Sequence, residues 1–149
     1  MKHYKSKSVA TWLAIFGGTL GLHRFYLHGF GDKLGWLHPL PTALGALGVA
    51  RILTLGQDDM LAWALVPILG LMIAQAMLCA IVYGLTPDEK WNARHNPGRP
   101  GAGTRWAPVL GAVFALMVGG GALMGSIAYG GQKYFEWQLE AERAAAQNK

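Results

Sequence analysis

Gly17-Gly18-Thr19-Leu20-Gly21-Leu22-His23-Arg24-Phe25-Tyr26-Leu27 is the stretch whose reading decides the fold. An apolar, glycine-bearing run passes directly into a histidine and an arginine, then into two aromatics and a leucine. A cation at the end of an apolar span needs a polar neighbour. The stretch therefore places His23 and Arg24 at a membrane surface, with Arg24 reaching phosphate or a helix-end carbonyl. Phe25 and Tyr26 then occupy the interfacial aromatic belt. Gly17 and Gly21 count here as helix-packing positions.

Composition supplies the membrane. Of 149 residues, 52% are hydrophobic and 14% charged, with 21 glycines and a mean hydropathy of +0.25. A soluble domain carries about 25% charged residues. The formal charge of +5 could suit nucleic acid. The basic residues lie at span ends, however, and not in one cluster with aromatic readers, so nucleic acid is excluded as a partner. Cys79 is the single cysteine, so no intrachain disulfide forms, and within its apolar run it reads as a packing residue.

Upstream of the stretch, Lys2, Lys5 and Lys7 precede an apolar run from Val9. A basic start before such a run also fits a secretory signal. No small-residue cleavage site follows, so it reads as a retained first span over roughly 8 to 28.

The lysine-bearing start, the apolar run and His23-Arg24-Phe25-Tyr26-Leu27 together resemble the TM-two domain family, small proteins with two transmembrane helices joined by a short turn. The resemblance covers about residues 5 to 56 and implies a membrane hairpin. It implies no chemistry. His28 stands where the family usually has glycine, and the second arm carries Pro39, Pro41 and Arg51.

Downstream, residues 29 to 38 read as a glycine-loosened turn with Asp32, Lys33, Trp36 and His38. Proline is acceptable in a first helical turn, so a second membrane segment starts near Pro41 or Thr42. Reaching Leu55, it spans about 22 Å, short of a ~30 Å hydrocarbon core. It begins earlier, thins the bilayer or is shielded by protein. Arg51, polar in the membrane, either snorkels to the surface or pairs with Asp58 or Asp59.

Gly56-Gln57-Asp58-Asp59 is a polar turn, and Met60–Leu85 is the clearest span, with Pro67 inside it and Gln75 its one strongly polar member. Ala76, Ala80 and Gly84 share a face, which lets another helix approach closely, and Gln75 is expected to hydrogen-bond across that contact. Thr86-Pro87-Asp88-Glu89 has the form of a capping box before a short surface helix, with Trp91 at the headgroups. A flexible connector follows, completing a polar loop over 86–105. The last span, about 106 to 130, aligns Gly111, Ala115 and Gly119, and also Gly121 and Gly125. Residues 131–149 form an interfacial, amphipathic helical tail.

The expected fold is thus an all-α polytopic integral membrane protein with four transmembrane segments, the second short or irregular, plus a surface C-terminal helix. Its parts are a hairpin over 1–56, a second pair of helices over 57–130, and the tail. Four crossings divide the cations almost evenly between the two sides, and a three-crossing arrangement stays open.

No phosphate loop, zinc spacing, His-Glu-x-x-His or Gly-x-Ser-x-Gly occurs. His23, His28 and His38 match no compact metal or haem motif, and Asp58-Asp59 reads as a solvated turn. No catalytic, cofactor-binding or metal-binding residue is assigned. The expected function is non-catalytic: a structural or accessory subunit that packs against other subunits of a membrane complex, or against itself, in the bacterial cytoplasmic membrane. The competing reading is a small homo-oligomeric transporter or channel with Arg24, Arg51 and Gln75 along a polar path. A weaker one is an enzyme at the lipid surface.

Overall fold

The computed structural model describes residues 4–99, 101 and 106–147, and all regular structure among them is helical. Helix α1 (Lys7–Gly17) ends in a short 3-10 turn (Gly18–Leu20), and α2 (Leu22–His28) follows. Then come α3 (Lys33–Leu37), α4 (Pro39–Leu55), α5 (Met60–Leu85), α6 (Asp88–His95) and α7 (Ala107–Gln147).

The expected first span over 8 to 28 is therefore broken. Gly21 sits at φ 77°, a left-handed conformation that glycine adopts at little cost and other residues resist, so the axis changes direction there. The carbonyl of Gly35 lies against Gly21 where a side chain would have to be, which is a second reason for glycine.

Helix α4 begins at Pro39, two residues before Pro41. A proline at the first helical position lacks only an N–H that would be unpaired anyway. Residues 33 to 37, expected as turn, form the short α3 because Asp32 caps it, accepting from the Leu34 amide at 3.2 Å. Helix α5 has the expected bounds, and the Asp59 carboxylate caps it by accepting from the Ala62 amide at 2.8 Å. The capping box at Thr86 does not form. Its hydroxyl donates back to the Val82 carbonyl of α5 at 2.5 Å, so Thr86 closes one helix instead of opening the next.

The last span and the tail are one continuous helix of 41 residues, about 61 Å long. Gly130 and Gly131 leave the i to i−4 ladder intact, and no proline interrupts it after Pro108. Within the 86–105 loop, residues 100 and 102–105 lie outside the described residues, as do Lys2, Arg105 and Lys149.

Helix α5 is the axis of the molecule: α1, α4 and α7 all pack on it. Ala14 and Ile15 of α1, Met77 and Ala80 of α5 and Ala115 of α7 form the core. Small side chains at these crossings bring the backbones close, so van der Waals contact replaces bulky interdigitation.

Two helices, α5 and α7, are long and apolar enough to cross a membrane, against the four segments expected. Only 17% and 28% of their most apolar stretches are buried within the chain, unlike the core helix of a water-soluble globule. At 17 residues, α4 gives about 26 Å, and α1 is shorter still, so neither reaches the ~30 Å of a hydrocarbon core.

Candidate functional site

The His23-to-Leu27 motif occupies α2, set at an angle to α1 by the Gly21 kink. His23 is fully buried. Its ring lies 5.6 Å from that of His38 and 5.9 Å from that of Tyr83, and neither ring nitrogen finds a hydrogen-bond partner among the described residues. It is a core residue, not the surface cation expected. Arg24 does not reach a helix-end carbonyl. Its Nε donates to Asp32 Oδ2 at 2.6 Å, and that bond holds the Asp32 carboxyl below the usual carboxylate range. Phe25 stacks near Phe30 and Trp36, at 5.4 and 5.1 Å between ring centroids, over the side-chain-free Gly35.

Tyr26 is the partner of the chain's basic start. Its hydroxyl accepts from the Ser6 amide at 2.8 Å, its carbonyl accepts from Lys5 Nζ, and the same ammonium lies 4.9 Å from its ring. Helix α6 completes the clamp. Asn96 Oδ1 accepts from the Lys5 amide at 2.7 Å, while Trp91 Nε1 and Asn96 Nδ2 donate to the Lys5 carbonyl at 2.8 and 3.0 Å. Lys7 Nζ donates to the Thr86 carbonyl at 2.8 Å and pairs with Asp88 at 2.6 Å. Trp91, expected among headgroups, is 3% exposed and packs between Tyr83 and His95. Partners 86 and 91 residues apart leave no local trace, and only the mixed lysine and aromatic content of the two ends hinted at the clamp.

Beside the clamp, α2, the end of α5 and α6 line a pocket of about 290 Å³. Arg24, Lys90, Arg94, His28 and His95 line it together with Leu27, Val82, Tyr83, Thr86 and Trp91, and no carboxylate does among the described residues. His95 is harder to protonate than a free histidine, first because it is partly buried and then because Arg94, His28 and Lys5 are close.

The packing residues divide. Ala76, Ala80 and Gly84 of α5 and Gly111, Ala115 and Gly119 of α7 are buried inside the chain, as are Gly17 and Gly21. A Cβ on Gly119 would stand 2.6 Å from Met77 Cβ, and one on Gly84 2.5 Å from the Pro108 carbonyl. Gly121 and Gly125 have nothing among the described residues within 4 Å of that position and face outward. Gly45 and Gly48 of α4, passed over in the sequence, lie against Leu69 and Leu65; their spacing of three was the available signal.

Arg51 resolves its alternatives by pairing with Asp59, through Nε and Nη2 at 2.7 Å each. Gln75 does not bond across a helix contact; its amide reaches Cys79 Sγ in its own helix at 3.5 Å. It lines an apolar groove between α5 and α7 with Leu71, Leu78, Leu116 and Leu123. Arg24 borders the basic pocket instead, and Arg51 borders neither, so the three polar residues of the transporter reading stand apart in one chain. His38 meets His23, whereas His28 turns to the pocket, and no group of three metal-ligating side chains occurs among the described residues.

Compared with protein-family models, with curated proteins and with solved structures, the chain finds no match.

Proposed function

We propose that this chain is a non-catalytic integral membrane protein that works by association, as a structural or accessory subunit packing against another membrane protein. The carrying observation is the outer face of α7. Gly121 and Gly125, one turn apart, leave a smooth outward patch with no neighbour among the described residues, while Gly120 on another side of α7 lines an apolar groove of about 400 Å³ shared with α5. A membrane-spanning helix of a partner is the occupant whose chemistry suits it. In lipid there is little hydrophobic gain in covering one apolar face with another, so close backbone approach along small residues supplies the attraction.

The reading places α5 and α7 across the bilayer and the hairpin of 5 to 56, like that of the TM-two family, in the membrane against α5. Four segments, two of them short and sheltered by α5, belong to this proposal, as does the bacterial cytoplasmic membrane. The packing of α1 and α4 on α5 supports the sheltering.

The test is purification in mild detergent. The expected result is a stoichiometric membrane partner that Gly121→Leu largely removes, with membrane insertion unchanged because the substitution adds bulk and no polarity. A symmetric homo-oligomer with an ion-conducting axis would favour the transporter reading. Co-purification indifferent to Gly121→Leu would remove this face from the account.

A further inference from the structure

The basic pocket is not needed for association along α7, and its chemistry points elsewhere. Arg24, Lys90 and Arg94 converge on one concavity that no carboxylate among the described residues lines. Arg24 spends its Nε on Asp32, while Lys90 and Arg94 pair with no acid among the described residues. Cations held together in a cleft repel one another and gain most from an anion whose several oxygens can reach more than one of them at once. Arginine's planar donors and a lysine ammonium suit the oxygens of a phosphate group.

Position narrows the source of that phosphate. The pocket lies at the end of α5, an apolar helix long enough to cross a bilayer, and Val82 in its wall continues into exposed Leu78 on the same helix. A phosphate seated among the cations would leave acyl chains free to run along that side. Basic pockets of this kind, next to membrane helices on their polar side, take anionic lipid headgroups. We propose that the pocket between α2, α5 and α6 binds a phosphate group, with Lys90 and Arg94 as its principal donors.

The full chain, purified in a neutral detergent, is titrated with phosphatidylglycerol, with phosphatidylcholine and with inorganic phosphate, and bound species are counted by native mass spectrometry. One saturable equivalent of phosphatidylglycerol, with none of inorganic phosphate, assigns the site to a lipid headgroup. A saturable equivalent of inorganic phosphate assigns it to phosphate itself. In either case the double variant Lys90→Gln/Arg94→Gln weakens binding by about tenfold or more, because two near-surface cations are lost. Lys133→Gln/Arg143→Gln, the same change of charge on the tail of α7, which meets Asp58 at the opposite end of α5 from the pocket, leaves binding nearly unaltered. Lys90 and Arg94 are exposed, so their neutral variants keep the fold, which circular dichroism checks; Arg94→Gln alone gives a smaller loss in the same direction. Failure of both anions to saturate, equal binding of phosphatidylcholine, or equal weakening by the two double variants would overturn the proposal.

Discussion

Asp59 does two jobs with one carboxylate. It closes the first turn of α5 through the Ala62 amide and grips the Arg51 guanidinium with both oxygens. Asp58, its neighbour, is fully exposed and only 3.9 Å from Lys133. The adjacent acids looked alike in sequence, and only their different surroundings separate them. Asp59→Ala should therefore measurably lower the melting temperature in detergent, through the loss of a cap and of a two-point ion pair, while Asp58→Ala leaves it nearly unchanged. Thermal unfolding of both variants checks this. The bond from Arg51 holds the Asp59 carboxyl below its usual range, as Arg24 does for Asp32. The sign of the pH effect follows: a depressed carboxylate adds stability above its unfolded pKa of about 4, and that contribution is lost as pH falls through the lower folded value. The wild type should lose melting temperature below about pH 4 more steeply than Asp59→Ala. His23 shows the opposite side of residue-level reading. Its place beside Arg24 suggested a surface cation, yet the Gly21 kink turns its ring into the space between Gly18, His38 and Tyr83.

Among the elements, α5 was legible in full because a long apolar run bounded by Asp59 and Thr86 admits one assignment. The hairpin was not. Glycines within an apolar run are compatible with a straight helix, a kink or a break, and Gly21 is resolved into a break by contact with Gly35 of α3. The small-residue faces were readable as faces but not as to which neighbour each would meet. Gly84 and Gly119 are used inside the chain, and Gly121 and Gly125 are not. Leucine at Gly84 should thus cost about 2 kcal/mol or more by forcing α5 and α7 apart, whereas leucine at Gly125 should leave the monomer's melting temperature within error. A pair of thermal melts in the same detergent decides it, and equal losses would mean that the two faces are not divided as described.

For the molecule as a whole, the solvent is the governing question. The outer surfaces of α5 and α7 carry Leu71, Leu78, Val82, Leu116, Met117, Leu123 and Ile127, all largely exposed. At roughly 25 cal/mol per Å² of apolar area, a face of this kind left in water drives aggregation. The chain should fractionate with membranes, resist extraction by high salt or alkaline carbonate, and precipitate when detergent is withdrawn. Recovery in the soluble fraction as a dispersed monomer would contradict the membrane assignment.

The amino-acid sequence by itself determined the helical class, the bounds of α5 and the small-residue faces, since these follow from apolar length, breakers and spacing along a single segment. Tertiary structure alone decided the break at Gly21, the burial of His23, the seam joining Lys5 to Tyr26, Trp91 and Asn96, and the gathering of Arg24, Lys90 and Arg94 around one pocket. Each of these joins residues far apart in the chain. Their meeting depends on how α1, α2 and α6 settle against the end of α5, and no periodicity within one segment encodes that.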